Sequence, residues 1–261
     1  MEIIDGIEAI GTSLWIPKRK ILIIGDLHIG YEEAMSKRGV SIPRMQFREI
    51  EKVLEKIFKK AKPDEIIING DLKHEFGKIS NQEWFDTSNL LDILAKHCKK
   101  ITLIRGNHDT ILDPIAKKKK LEIKDYEMIR LGERKAEKGL KKFLKSTLGT
   151  SPIAQIAVLH GDKIIETDEI RDSGLLIIGH EHPAIVLKEK DGLKEEKYKC
   201  FLLGKWKNRR LIVMPSFLPT IEGTNVKKER LLSPYLQGRI GDFEAFIIGD
   251  KIYRFGKIKN L

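Results

Sequence analysis

The amino-acid sequence predicts an α/β protein, and three observations support this class. Five short apolar runs have the length and composition of buried strands. Helical periodicity occupies residues 44–60 and about 82–98, between the first three of these runs. Several later segments alternate apolar and polar residues, as antiparallel strands do. The first half of the chain is therefore predicted to be βαβ-like, and the second half to be rich in strands.

The strands can be placed along the chain from these patterns. The five buried runs are "KILIIGD" (20–26), "DEIIING" (64–70), "KITLIRG" (100–106), "IAQIAVLHG" (153–161) and "GLLIIGH" (174–180). The alternating segments are "AIVLKEK" (184–190), "KYKCFLLG" (197–204), "RRLIVMPS" (209–216) and "FEAFIIGDKIYRFGKI" (243–258). No internal repeat, proline-rich linker or low-complexity tract separates them, so we expect residues 1–261 to form a single domain, with the lysine run 117–120 in a surface loop.

The composition indicates a globular protein rather than a membrane or secreted one. The chain has 261 residues, of which 41% are hydrophobic and 33% charged, as in a globular protein with a sizeable core. No apolar run approaches the roughly 18 residues that span a bilayer, and the N-terminal "MEIIDGIEAI" is acidic where a signal peptide would be basic. We therefore expect a cytoplasmic protein with no membrane partner. Cys98 and Cys200 stand alone in the sequence, so we expect packing thiols rather than a disulfide or a thiolate metal site.

The formal net charge of +11 has two explanations. Clustered Lys and Arg neutralise the phosphates of nucleic acid, which would make nucleic acid a partner. Abundant Lys, Glu and Ile are also typical of proteins from hot-adapted organisms, in which charge networks stabilise the fold. The segment 117–145 holds twelve basic and five acidic residues, so much of the excess charge lies there.

A basic helical segment is predicted at about 117–147. Within "ERKAEKGLKKFLKS" (133–146), apolar residues recur at helical spacing, which favours a helix with one face on the body and a basic face outward. The lysines that would contact a nucleic-acid substrate are Lys138, Lys141, Lys142 and Lys145. A solvated face without a partner is the alternative.

The five buried runs end in the same kinds of residue. The exits are "GDLHIG" (25–30), "NGDLKHEFG" (69–77), "RGNHD" (105–109), "LHGD" (159–162) and "GHEHP" (179–183), and each contains Asp, Asn or His with Gly beside it. Taken singly, such residues are more often turn formers, caps or surface groups. Together they indicate a mixed nitrogen and oxygen site at the ends of the strands, which suits manganese, iron or zinc and disfavours calcium.

The series GDLH, GD, GNHD, HG and GHEH, in this order, resembles the calcineurin-like metallophosphoesterase superfamily from residue 21 to about 187. Within it, "ILIIGDLHIGYE", "NGDLKHEFG" and "VMPSFLPTIEGTNV" are similar to the archaeal SbcD-related phosphoesterases. The resemblance implies a four-layer α/β/β/α metallophosphoesterase sandwich, in which both sheets send loops to one metal-bearing rim.

The resemblance also implies roles for individual residues. The first metal would be held by Asp26, His28 and His182, and the second by Asn107, His160 and His180, with Asp71 bridging the two. His108 matches the family's catalytic histidine, and Asp109 would orient its imidazole. Many relatives have an acidic residue shortly after the bridging Asp, whereas this chain has Lys73, His74 and Glu75 there. No ligand role is transferred to these three, and His74 either contacts substrate phosphate or simply packs.

The function expected from the resemblance is two-metal-dependent hydrolysis of phosphodiester bonds in nucleic acid, as in an SbcD-like nuclease of DNA repair or processing. Mn2+ is the expected metal, with Fe, Zn, Ni or Co as alternatives. A small-molecule phosphodiesterase or phosphatase acting on nucleotides or cyclic nucleotides is the second hypothesis, and an inactive nucleic-acid-binding protein is the third. The DNA-capping domain and the ATPase-binding segment of SbcD nucleases are not transferred to this chain, and the sequence leaves open which protein partner it has.

Overall fold

Two β-sheets dominate the computed structural model, which describes residues 1–40, 43–132, 153–188 and 195–261. The first sheet runs in chain order, with β1–β4 antiparallel and β4–β7 parallel. Its strands are β1 (Glu2–Ile4), β2 (Ile7–Ile10), β3 (Ser13–Ile16), β4 (Ile21–Ile24), β5 (Glu65–Asn69), β6 (Lys100–Ile104) and β7 (Ile123–Lys124).

The second sheet has nine strands. They are β8 (Tyr126–Arg130), β9 (Gln155–Leu159), β10 (Leu175–Ile178), β11 (Pro183–Lys188), β12 (Glu195–Trp206), β13 (Arg209–Val213), β14 (Thr224–Asn225), β15 (Glu244–Ile248) and β16 (Ile252–Lys257). Their order is β14-β11-β12-β13-β10-β9-β8, and β15 pairs with β12 and β16. Strands β9, β10 and β13 are parallel, so this sheet also has an edge where several carboxyl ends meet.

Five helices complete the described structure. They are α1 (Tyr31–Lys37), α2 (Gln46–Lys60), α3 (Asn81–Ala95), α4 (Asp113–Lys118) and α5 (Asp168–Arg171). The apolar residues of α2 recur at helical spacing, and Ile50, Leu54 and Ile57 are buried against one face of the first sheet. No helix in the described ranges has both the length and the apolar character needed to cross a bilayer.

The side chains of each strand alternate between two apolar layers. On β4, Leu22 and Ile24 pack towards the helices, whereas Ile21 and Ile23 pack in the layer shared with the second sheet. That second sheet is covered on its other face by residues of α5 and of the turn at 234–236. The helix, sheet, sheet and helix layers confirm the predicted four-layer sandwich.

The predicted strands and helices are largely confirmed. All five buried runs form strands, and the helical stretches at 44–60 and 82–98 become α2 and α3. The basic segment 117–147 is not one helix, because α4 ends at Lys118 and strands occupy 123–124 and 126–130. Its predicted helix "ERKAEKGLKKFLKS", with Lys138, Lys141, Lys142 and Lys145, lies outside the described residues.

The loop between β5 and α3 is fastened to the N-terminus of that helix. The Ser80 hydroxyl accepts a hydrogen bond from the backbone N–H of Glu83 at 3.0 Å, and the Glu83 carboxylate accepts from Ser80 at 3.1 Å, which forms a capping box. The same carboxylate accepts from the backbone N–H groups of His74 at 3.2 Å and Glu75 at 2.9 Å. One buried side chain therefore fixes both the helix start and the loop before it.

Replacing Ser80 by Ala should lower the free energy of unfolding by about 0.5–2 kcal/mol, because the cap of α3 is lost. Chemical denaturation of the purified protein measures this change. Ser88→Ala, in the interior of the same helix, is the matched control and should not destabilise the protein, since Ala has the higher helix propensity. Equal losses in the two variants would contradict the capping role.

Candidate metal centre

The carboxyl ends of parallel strands from both sheets bring the predicted site residues to one edge. Strand β4 leads into Asp26 and His28, β5 into Asp71, and β6 into Asn107 and His108; β9 leads into His160, and β10 into His180 and His182. Ligands of open α/β sheets lie outside these ends because the loops there are close in space and far apart in sequence.

The backbone at this edge is strained in one consistent way. Five of the predicted ligands have positive φ angles, namely Asp26 (54°), His28 (45°), Asp71 (46°), His180 (65°) and His182 (49°). Each such residue costs of order 1–3 kcal/mol unless its surroundings enforce the conformation, and such strain is concentrated at functional sites. The strain therefore marks the edge as a site independently of the side chains.

Glycines let the backbone approach the two aspartates closely. A Cβ atom on Gly106 would lie 2.2 Å from Oδ1 of Asp71, and one on Gly179 would lie 2.5 Å from Oδ2 of Asp26. Any other residue at these positions would have to displace a carboxylate. This explains why Gly stands beside Asp, Asn and His at the ends of the strands.

Asp26, His28 and His182 form the first cluster. Their potential ligand atoms lie within 4.8 Å of one another. Nε2 of His182 is 3.2 Å from Oδ1 of Asp26 and 3.4 Å from Nε2 of His28. Two imidazole nitrogens this close need a proton or a shared cation between their lone pairs, which fits a metal ion. The backbone N–H of His180 donates to Asp26 at 3.2 Å and fixes the carboxylate.

Asp71, His160 and His180 form the second cluster, again within 4.8 Å of one another. Nε2 of His160 is 3.4 Å from Oδ2 of Asp71 and 3.0 Å from Oδ1 of Asn107. Oδ2 of Asp71 is also 3.7 Å from Nε2 of His28, so this one oxygen faces both clusters. The structure thus brings all seven predicted metal ligands together, with Asp71 between the two groups.

Electrostatics at the two clusters favours bound cations. Burial and the neighbouring His182 lower the pKa of His28 to about 3, so its imidazole is neutral and can act as a ligand. Burial alone would lower the pKa of His160, but the charges of Asp71 and Asp26 outweigh it and raise that pKa to about 10. A proton on His160 compensates the buried carboxylates, and a divalent metal would replace it.

His108 lies at the border of the centre, where its ring is partly exposed. Its backbone N–H donates to Oδ1 of Asp71 at 2.9 Å. Its ring contacts His28 edge-on, with centroids 4.9 Å apart. Nδ1 of the ring is bonded to the backbone carbonyl of His74, which assigns the donor hydrogen to Nδ1. Nε2 is left as the ring nitrogen that faces Asp71, at 3.9 Å from Oδ2.

Asp109 was expected to orient the His108 imidazole, but the hydrogen bonds of its carboxylate go to other groups. The carboxylate is fully buried and accepts hydrogen bonds from the backbone N–H groups of Gly106 at 3.0 Å, Leu72 at 3.1 Å and Lys73 at 3.3 Å. Asp109 therefore ties the loop after β6 to the loop after β5, and the backbone of His74 orients the His108 imidazole instead. Burial and the nearby Asp71 raise the pKa of Asp109 to about 6.

His74 packs among rings of the site. Its Nδ1 is 3.4 Å from Nδ1 of His28, and its ring centroid is 5.3 Å from that of His108 and 5.1 Å from that of Tyr31. Burial and the charge of His108 lower the pKa of His74 to about 4, so the neutral ring can accept a hydrogen bond from His28. These contacts favour the packing alternative for His74. They also place its ring against His28, a predicted metal ligand, whose orientation it can fix.

Two phenylalanine rings contact histidines, one at the site and one away from it. The exposed ring of Phe76 lies on His108, with centroids 3.8 Å apart, and the sequence analysis did not single it out. An aromatic residue in a strand exit was the only available signal. His97, the histidine outside the strand exits, stacks on Phe58 at 4.1 Å and has a packing contact away from the clusters.

Two solved structures are similar to this chain at low sequence identity. Nuclease MPE from Pseudomonas putida is 16% identical over 94% of this chain and 92% of its own, with a TM-score of 0.58. YfcE, a phosphoesterase from E. coli, is 12% identical over 91% of this chain and 97% of its own, with a TM-score of 0.37. No curated protein matches the chain.

The family is shown by the sequence and agrees with the geometry of the site. The matched region, residues 19–209, spans every strand exit that contributes to the two clusters. It matches the family model named calcineurin-like phosphoesterase, and the chain belongs to this family of metal-dependent phosphoester hydrolases.

Proposed function

We propose that this protein is a two-metal phosphodiesterase that cleaves nucleic acid, as an SbcD-like nuclease acting in DNA repair or processing in the cytoplasm. The observation that supports two metals is that Oδ2 of Asp71 faces His28 at 3.7 Å and His160 at 3.4 Å, so one carboxylate serves both clusters. Two divalent cations there would supply Lewis acidity, which activates water and neutralises charge on the phosphoryl oxygens.

The donor set favours manganese among the possible metals. Asp26, His28 and His182 would hold the first ion, and Asn107, His160 and His180 the second, with Asp71 shared. Carboxylate and carboxamide oxygens beside imidazoles suit Mn²⁺, whereas Fe, Zn, Ni or Co remain alternatives to be assayed. Asn107 contributes a neutral oxygen, which limits the negative charge of the second cluster.

His108 is proposed to assist the leaving group. Its Nδ1 is engaged by the His74 carbonyl, and its Nε2 lies on the side of Asp71, where the phosphate would bind. With Nδ1–H directed at that carbonyl, only the imidazolium form carries a second hydrogen on Nε2, and this form can donate a proton to the leaving oxygen or a hydrogen bond to the phosphoryl group. Asp109 supports this arrangement from a distance, because it accepts hydrogen bonds from Leu72, which follows Asp71, and from Gly106, which lies against the Asp71 carboxylate.

A nucleic-acid substrate is supported by charge and by likeness. The net charge of +11 and the basic segment 117–145 would attract a polyphosphate backbone. Nuclease MPE, whose fold is similar, carries a nuclease activity in its name. The resemblance of "NGDLKHEFG" and "VMPSFLPTIEGTNV" to SbcD-related enzymes points in the same direction.

The proposed activity should be strictly metal-dependent. The protein is first stripped of metal with a chelator. It is then incubated with single-stranded DNA, double-stranded DNA, RNA or small phosphodiesters, with and without added Mn²⁺, Fe²⁺, Zn²⁺, Ni²⁺ or Co²⁺. Cleavage of nucleic acid only with metal is expected. Hydrolysis confined to small substrates would favour the nucleotide phosphodiesterase hypothesis, and full turnover in excess chelator would refute the metal mechanism.

Asp71→Asn should abolish turnover and reduce the metal content measured by elemental analysis, because a neutral amide cannot compensate two dications. The loss of turnover should exceed about 100-fold, the scale of electrostatic contributions to catalysis. Asp168→Asn, at an exposed position in the first turn of α5, is a control of the same chemistry outside the two clusters. Normal activity and metal content in Asp71→Asn would contradict the bridging role.

His108→Ala should keep both metals and lower kcat by about two or more orders of magnitude, the usual scale of acid–base and electrostatic catalysis. His97→Ala is the matched control, because His97 stacks on Phe58 outside the clusters and should be dispensable for chemistry. Steady-state kinetics and metal analysis separate the two effects. Equal losses of kcat in the two variants would show that the assignment of His108 is wrong.

The basic segment is tested by changing Lys138, Lys141, Lys142 and Lys145 to Gln. Weaker binding to all nucleic-acid sequences is expected, with a salt slope flatter by up to roughly 0.7–0.9 per lost phosphate contact. Changing Lys52, Lys59, Lys60 and Lys62, which are exposed on and just after α2, removes the same charge and is the control. Affinity and slope that change equally in both variants would exclude a specific role for the segment.

A further inference from the structure

Phe76 presents an exposed aromatic surface directly beside the proposed catalytic histidine. Its ring centroid is 3.8 Å from that of His108, with the planes inclined at 35°, yet 56% of the residue is accessible to solvent. Here one part of the ring rests on His108, and the rest is available to a ligand that reaches the metal centre.

The loop that carries Phe76 is held rigidly. The buried Glu83 carboxylate accepts from the N–H groups of His74 and Glu75, on the N-terminal side of Phe76. The ammonium group of Lys73, a fully buried side chain, donates to the carbonyl of Glu75. The Phe76 carbonyl accepts from Lys78 at 2.9 Å. Because these contacts form without ligand, little conformational entropy is lost when a ring stacks on Phe76.

We propose that Phe76 is the stacking residue for an unpaired nucleobase next to the scissile phosphate, on its leaving-group side. This inference rests on the proposed nucleic-acid function. His108 is placed to act at the leaving oxygen, and the nucleoside attached to that oxygen must continue past the His108 ring. Phe76 is an exposed ring in contact with His108, and the face of any base can stack on it.

Stacking on Phe76 also narrows the substrate class. Within a duplex, both faces of a base are covered by its neighbours, so a base reaches an aromatic side chain only when the strand is single or its end is open. Because every base has a π-face, this contact contributes affinity without sequence preference. The expected substrate is therefore single-stranded nucleic acid or an unpaired terminus, cleaved with little regard to sequence.

The test uses single-stranded oligonucleotides with one natural phosphodiester among methylphosphonate linkages. One substrate carries all its bases, and two others have an abasic residue on the 5′ or the 3′ side of the cleavable linkage. Phe76→Ala should raise KM for the full substrate about 5- to 150-fold, the range expected for loss of one stacked base. Phe76→Trp should restore affinity. The same Ala change should have no effect on the substrate that lacks the leaving-group base.

Phe85→Ala is the matched control, since Phe85 on α3 is 62% exposed and has no ring contact with the histidines in the described part of the chain. Its KM should equal that of the unaltered protein. An unchanged KM for Phe76→Ala, or an equal increase on the abasic substrates, overturns the stacking role while leaving the nuclease proposal intact. If the unaltered protein cleaves none of the oligonucleotides with any metal, the proposed function fails and the inference fails with it.

Discussion

The buried carboxylate of Asp71 is the constraint around which the site is built. A charge removed from water must be compensated by hydrogen bonds and opposite charges. Asp71 receives the backbone N–H of His108 at 2.9 Å and faces imidazoles from both sheets. The charge and hydrogen bond of His160 outweigh the effect of burial and keep the pKa of Asp71 well below its usual range. Gly106 is required because only a hydrogen atom fits beside this carboxylate.

The sandwich makes that arrangement possible by joining two parallel sheet edges. Strands β4, β5 and β6 supply the two aspartates, Asn107 and two histidines, whereas β9 and β10 supply three histidines from the opposite sheet. The apolar layer between the sheets fixes their separation, with Ile23 and Ile67 packed in the same layer as Val158 and Ile177. Because interiors pack at nearly crystalline density, the two ligand groups cannot drift apart. The packing of the core therefore fixes the distances between the two groups of predicted metal ligands.

The sequence predicts those parts of the fold and site that depend on local patterns. Long apolar runs predict β4, β5 and β10, and the polar residues after them predict the side chains that meet in the two clusters. The N-terminal strands β1–β3 were not predicted, because three or four residues give too short a pattern to separate from a loop. The hydrogen-bond partners of Asp109 were also not predictable. They depend on backbone N–H groups of another loop, which only the three-dimensional arrangement brings within reach.

The loop from Lys73 to Ser80 contacts the site without supplying any of the seven predicted metal ligands. In place of an acidic residue, it puts His74 between His28 and His108, where the ring holds one imidazole and the backbone carbonyl holds the other. The buried Glu83 fixes this loop and also caps α3, so the helix start and the orientation of His108 depend on the same carboxylate. Replacing Phe76 in this loop therefore changes the surface beside His108 and leaves the identity of every predicted metal ligand unchanged. In such a scaffold, the exposed face of a loop can vary while the strand ends keep the predicted metal ligands, because the exposed ring and those ligands occupy different positions in the chain.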